Sequence, residues 1–249
     1  MNICLFEQDE ISKPLKADDP RAVHIKKILR KGAGDTFSAG IIEGPAGTAT
    51  ITKIGSQAQD AGDIVFTFEP QSDGKPLFPL HMIIGFPRPI QLKRLLRDMA
   101  ALGVQSVRLC GTELGEKSYL KASLSDPKEI YKMLLDGTIQ AGSTHVSKPY
   151  VYPNLAACLD ALDEEAALKL ALDNVEPKSS LRAFLDKNPP KDKAVIAAIG
   201  SERGWSPSER NLLESRGYIR LGMGSRIMRT ETAATVSASL ILSAMEALG

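Results

Sequence analysis

Residues 194–234 read AVIAAIGSERGWSPSERNLLESRGYIRLGMGSRIMRTETAA. Two glycine-bearing loops, Gly200-Ser201-Glu202-Arg203-Gly204 and Gly222-Met223-Gly224-Ser225, flank one helix-forming segment, and each follows a short apolar run. The pattern is strand–loop–helix twice over, which sets both loops at the carboxyl edge of a parallel sheet, where α/β folds bind ligands. Ala194–Ile199 is apolar without interruption, as a strand buried on both faces requires. Ser206-Pro207-Ser208-Glu209 joins a capping box to a proline at the first helical position, so a helix starts there. Arg216-Gly217 ends it, Tyr218–Leu221 reads as the next strand, and Ala233–Leu248 as an apolar C-terminal helix.

Outward from this stretch, 249 residues with 43% hydrophobic and 24% charged content are those of a soluble globular protein of one large or two modest domains. No stretch nears the roughly 18 apolar residues of a membrane span. The opening MNICLFEQDE is acidic and short of apolar length for a signal peptide, so a cytoplasmic location is expected. Three distant cysteines, Cys4, Cys110 and Cys158, fit reduced thiols better than a disulfide or zinc framework. A net charge of +1 leaves nucleic-acid binding to local patches. The three histidines are too far apart to form a ligand constellation, and no metal is expected. The phosphate-cradle patterns GxxxxGK[ST] and GxGxxG and the nucleophile elbow GxSxG do not occur.

Residues 1–72 show short β-like runs at Thr36–Ile42, Thr48–Ile54 and Ile64–Glu69, with a helix at Ala22–Leu29, and read as a small barrel domain. A turn-rich linker follows, and residues 73–249 read as a second, α/β domain. Leu80–Gly85 and Val104–Cys110 read as strands around a helix at Ile90–Leu102, whose apolar face is Leu92, Leu95, Leu96, Met99 and Leu102. Pro127–Leu135 and Asn154–Leu162 read as helices. Ala167–Leu172 is another buried strand, so loops after residues 172, 199 and 221 can converge on one pocket.

IGSERG resembles the IGPEGG loop of the RsmE family, with Ser201 for proline and Arg203 for glycine; MGSRIMRTETA resembles that family's LGPRILRTETA. His24-Ile25-Lys26-Lys27-Ile28-Leu29-Arg30 is similar to the family's HxxxVLR helix, and Ala101-Leu102-Gly103-Val104 to its xELGV, with alanine for the glutamate. The resemblance implies an S-adenosyl-L-methionine-dependent enzyme that methylates N3 of a uridine in bacterial small-subunit (16S) ribosomal RNA. The implied architecture is an α/β SPOUT-type parallel sheet with a deep trefoil knot, plus an N-terminal PUA-like β-barrel that binds RNA, working as a homodimer. It implies a cofactor site at Leu172, Gly200, Ser201, Glu202, Gly204, Leu221, Met223, Gly224, Met228 and Thr230. For Met223 and Met228, plain core filling is the alternative.

Uracil N3 carries a proton, so the site needs a base or a cation that stabilises the anion. Arg229 suits the second role. Glu202 or Glu231 could orient an arginine or accept the proton, although an acid in a first helical turn, as Glu231 is, is also favoured by the macrodipole. Arg21, Lys26, Lys27 and Arg30, with His24 among them, lie in an acid-free stretch that is either a phosphate-contacting patch or a solvated helix face. Arg88 is a further RNA candidate. Two other classes remain at this point: a knot-fold RNA-binding protein without catalysis, and a methyltransferase for a different RNA.

Overall fold

A computed structural model describes residues 2–55, 62–119, 126–162, 167–191 and 193–248. The chain forms two compact units. The first comprises Met1–Pro76 together with Thr138–Val146, the second Leu77–Gly137 and Ser147–Gly249.

In the first unit, β1 (Cys4–Phe6), β2 (Thr36–Ile41), β3 (Ala46–Ile54) and β4 (Ile64–Ser72) form one sheet in sequence order. β1 runs parallel to β2, and the other pairs are antiparallel. The expected helix at Ala22–Leu29 resolves into a single turn, α1 (Pro20–Val23), and a π-helical turn over His24–Ile28. Asp19 caps α1 by accepting from Arg21 N at 2.8 Å, and Pro20 stands at the first helical position. Phe6, Ile25, Phe37, Ile51, Ile64 and Phe66 form the core, with Phe37 meeting Phe66 edge-on at 5.7 Å. Residues 138–146 are bound to the β2–β3 turn. Thr144 Oγ1 donates to Gly44 O at 2.7 Å, and Val146 N donates to Glu43 Oε1 at 2.8 Å.

The second unit is a seven-stranded, all-parallel sheet. Its strands are β5 (Phe78–Gly85), β6 (Val104–Cys110), β7 (Lys148–Tyr152), β8 (Leu168–Leu172), β9 (Ser179–Ser180), β10 (Val195–Ile199) and β11 (Ile219–Gly222), in spatial order β7-β6-β5-β10-β8-β11-β9. The central strands are the apolar runs, because helices cover both faces. α4 (Leu155–Asp160) and α6 (Pro207–Ser215) enclose a core containing Ile83, Cys158, Ile196, Trp205 and Leu213. α2 (Pro89–Ala101) and α7 (Thr230–Ala244) pack on each other and on β5, β6 and β10. α3 (Pro127–Ala141), whose last four residues belong to the first unit, and α5 (Leu181–Lys187) are the remaining helices among the described residues.

From β5 the chain builds outward through β6 to β7, then returns to lay β8 and β10 on the other side of β5. The crevice where strand order reverses therefore lies at the carboxyl ends of β5 and β10. α7 starts at Thr230, three residues before the expected position, and the capping box of α6 forms as expected. Ser206 Oγ accepts from Glu209 N at 3.1 Å, while Glu209 Oε2 accepts from Ser206 N at 2.9 Å. No described helix is long and apolar enough to cross a membrane.

Candidate active site

Three loops meet at the carboxyl edge of the second unit's sheet. Leu172 ends β8 and Asp173 and Asn174 follow it; Ile199 ends β10 and Gly200, Ser201, Glu202 and Gly204 follow it; Met223, Ile227 and Met228 follow β11. With Thr230 and Ala233 of α7 they line one cleft. Of the residues expected to bind a cofactor, Leu172, Gly200, Ser201, Glu202, Gly204, Met223, Met228 and Thr230 line this cleft. Leu221 is buried within β11, where its carbonyl accepts from Asp173 N at 3.0 Å, and Gly224 is exposed on the loop beyond; neither is among the lining residues.

The glycine loop has its shape because side chains are missing from it. A Cβ on Gly200 would lie 2.6 Å from the carbonyl carbon of Gly204, so the two limbs of the loop touch through backbone. A Cβ on Gly85, at the end of β5, would lie 2.3 Å from Ser201 N. The loop is thus pressed against the end of β5. Thr112 Oγ1, in the loop after β6, donates to Ser201 Oγ at 2.9 Å, and Thr230 Oγ1 reaches Gly200 O at 3.5 Å. Ser201, where the family pattern has proline, supplies this link between loops.

Glu202 is exposed, and its Oε1 accepts from Arg88 N at 2.9 Å. It fastens the glycine loop to the N-cap of α2. Arg88 is exposed, and its backbone, not its guanidinium, makes this contact. Arg229 is the exposed N-cap residue of α7 and lies between Met228 and Thr230, both in the cleft wall. Glu231 is 9% exposed in the first turn of α7 and is not part of the cleft lining.

Sequence reasoning brought the loop after residue 172 to this pocket but assigned no site role to Asp173, Asn174, Ile199, Ile227 or Ala233. Asp173 is 8% exposed and accepts from Arg210 Nε of α6. This part-buried pair ties the β8 loop to the helix between the two glycine loops. Ile227 is 86% exposed, and an isoleucine in a glycine-rich loop was the available signal for it. Glu209 does more than cap α6, because its Oε1 accepts from Glu113 N at 3.0 Å and so holds the β6 loop as well.

Among the first unit's candidates, Arg21 is already neutralised. Its guanidinium donates to Glu10 Oε2 at 2.9 Å, to Asp19 Oδ2 at 2.8 Å and to Leu5 O at 2.8 Å, and lies over the Phe6 ring. Burial alone would lower its pKa, but hydrogen bonds to Asp19 and Glu10 outweigh that and raise it. The expected phosphate contact is replaced by a structural one. Lys26 Nζ donates to Gly62 O at 2.7 Å, and His24 Nε2 is buried without a hydrogen-bond partner among the described residues. Lys27 and Arg30 are exposed, beside Ile28 at 68% exposure.

Three loops converge on one cleft at the carboxyl edge of a parallel sheet, and residues 73–242, which contain them, match the family described as RNA methyltransferase domain. The chain is 39% identical over 250 residues to the ribosomal RNA small subunit methyltransferase E of Treponema pallidum (strain Nichols), covering 97% of this chain and 91% of that protein. It is 28% identical over 242 residues to the ribosomal RNA small subunit methyltransferase E 1 of Borreliella burgdorferi, covering 97% of each. The chain belongs to the ribosomal RNA small subunit methyltransferase E (RsmE) family. Two solved structures share the fold at 19% identity. One is a probable rRNA-methyltransferase from Porphyromonas gingivalis (TM-score 0.80, 99% of each chain covered). The other is the ribosomal RNA small subunit methyltransferase E from Neisseria gonorrhoeae bound to S-adenosyl methionine (TM-score 0.76, 98% of this chain and 97% of that one).

Proposed function

We propose that this protein transfers a methyl group from S-adenosyl-L-methionine to N3 of a uridine in small-subunit (16S) ribosomal RNA. The observation that carries the reading is the convergence of the loops after β8, β10 and β11 on one cleft, in a chain of this family. The lining of the cleft suits the cofactor. Leu172, Ile199, Met223, Met228 and Ala233 supply apolar walls for an adenine, and the close-packed Gly200–Gly204 backbone supplies donors and acceptors for its edge. When bound, the cofactor supplies an electrophilic methyl on a sulfonium.

The chain's own residues have to manage the acceptor. The N3 proton must pass to solvent before the N3 electron pair can bond to the methyl carbon. Arg229, the exposed residue between the cleft-lining Met228 and Thr230, would stabilise the negative charge that then spreads over the uracil carbonyls. Glu202 is a brace in this reading, since its carboxylate already fixes the Arg88 backbone. Glu231, in the first turn of α7, stabilises the helix start.

The same reading extends to the rest of the molecule. The first unit serves as a PUA-like RNA-binding domain, with exposed Lys27 and Arg30 as its phosphate contacts. The second carries the SPOUT trefoil knot. The protein works as a homodimer in the cytoplasm, and the exposed Ile90 (82%) and Ile227 (86%) favour burial against a second copy. The deciding experiment is mass mapping of ribosomal RNA from cells lacking this protein, followed by restoration with purified protein and S-adenosyl-L-methionine. The expected result is one missing N3-methyluridine in the small-subunit RNA, restored in vitro; an unchanged modification map would refute the assignment.

A further inference from the structure

A second cleft opens at the same sheet edge, on the β5–β6–β7 side of the strand-order reversal. It encloses about 350 Å³ and is mainly apolar, with Phe86, Gly111, Thr112, Lys117, Pro153 and Asn154 among its walls. A volume near the lower end of the usual ligand range suits a flat heterocycle with its sugar. Its position matters more than its size. Thr112 belongs to its wall and Ser201 to the wall of the cofactor cleft, and the two hydroxyls are hydrogen-bonded at 2.9 Å. The walls of the two clefts are therefore joined by a direct side-chain hydrogen bond.

The walls are held in place. Phe86 N donates to Cys110 O at 2.8 Å, and Gly111 N donates to Tyr152 O at 3.1 Å. Glu113 N is anchored on Glu209 of the α6 capping box, and Ser208 Oγ donates to Glu113 Oε2 at 2.6 Å. Hydrogen bonds from the Ser206 and Ser208 hydroxyls keep the Glu113 carboxyl below the usual carboxylate range, so the rim carries a fixed negative charge. Glu116 and Lys117 stand beside it, exposed.

We propose that this cleft receives the target uracil, turned out of its RNA strand, with the base's N3 edge facing the Thr112–Ser201 pair. The inference rests on the methyltransferase reading above and extends it to the acceptor. Chemistry on a base requires that it leave its stack, and an apolar slot beside the methyl donor supplies a place for it. The rim also suits uracil. With N3 turned inward, Lys117 can donate to a uracil carbonyl from the rim.

The test uses the full-length protein and small ribosomal subunits from cells lacking it. Glu116→Trp fills the slot from an exposed loop position. The expected result is a single-turnover methylation rate lower by about 100-fold, since the base can no longer reach its reacting position. S-adenosyl-L-methionine affinity by calorimetry and the melting temperature should stay at the wild-type values. Ultraviolet cross-linking of the wild-type protein to the same subunits should place uridine adducts on peptides containing Phe86 or residues 111–117. A Glu116→Trp variant with wild-type rate, or adducts confined to other peptides, overturns the proposal. So does a large loss of cofactor affinity in that variant, which would assign the cleft to the cofactor instead. Should the wild-type protein itself fail to methylate these subunits, the parent reading fails at the control, before the variant is compared.

Discussion

Gly85→Ala probes how firmly the glycine loop is pressed against the sheet. The added Cβ would lie 2.3 Å from Ser201 N, 2.8 Å from Gly200 C and 2.9 Å from Thr112 Cγ2. Ordinary carbon contacts need about 3.5 Å, so the loop must withdraw by about 1 Å. Two of the three obstructing atoms are backbone, so rotating a side chain gives no relief. Overpacking of this kind costs about 1–3 kcal/mol, which for a chain of this size lowers the melting temperature by roughly 2–12 °C. The kinetic cost should be the larger effect. A displacement of about 1 Å at a reacting geometry costs about 100-fold in rate, and this loop both lines the cofactor cleft and carries Ser201. Thermal unfolding, S-adenosyl-L-methionine calorimetry and single-turnover methylation on one preparation measure all three quantities. A variant that melts a few degrees lower but binds cofactor and methylates at wild-type rates would refute the claim that contact with β5 sets the loop's position.

Arg229→Ala should lower the methylation rate by about 100- to 1000-fold with cofactor affinity unchanged, and raising the pH should restore part of it by deprotonating the uracil without help; loss of cofactor binding and melting temperature together would assign Arg229 to structure instead. Replacing Lys27 and Arg30 together should flatten the log–log salt dependence of RNA binding by about two units, read from filter binding over a salt series. Arg21→Met should leave that slope unchanged and destabilise the first unit, visible in its unfolding transition. The same substitution alters the acid limb. Burial pushes the Asp19 carboxyl up, but hydrogen bonds from Arg21 outweigh it, and for Glu10 the Arg21 hydrogen bond is the largest influence, so both are lowered. Groups lowered by folding stabilise above their ordinary pKa, near pH 4, and lose that contribution as pH falls through the lowered value. The wild-type protein should therefore lose stability below about pH 4, and Arg21→Met should lose less over that window.

Much of the second unit can be read from sequence because its central strands are buried on both faces. Val104–Cys110 falls on the expected residues, and Val195–Ile199 within one of them. The elements passed over lack that signature. β7, Lys148–Tyr152, lies at the sheet edge with half-exposed side chains and no apolar run, while β1 and β9 have three and two residues. α5 has seven residues, fewer than periodicity needs. Of the site, the glycine loops announce themselves through composition. The contacts that fix them do not, because Asp173 with Arg210 and Arg88 with Glu202 are separated by 37 and 114 positions and meet only in the folded chain. Arg21 shows the opposite hazard: a cation in a basic run looks free until the acids folded against it are known.

The assignment of Thr138–Val146 to the first unit bears on how the protein is made. Those nine residues reach the first unit through Asn2 N to Ile139 O, Glu43 N to Thr144 O and Thr144 Oγ1 to Gly44 O. A ribosome that has just finished Pro76 has about 70 more residues to add before these bonds can form, about 4–14 s at 5–20 residues per second. During that interval the β2–β3 turn presents Glu43 and Gly44 to solvent or to a chaperone. For the same reason, severing the chain at Pro76 would yield an N-terminal fragment with an open seam. Grafting residues 138–146 back onto that fragment through a short linker should close it.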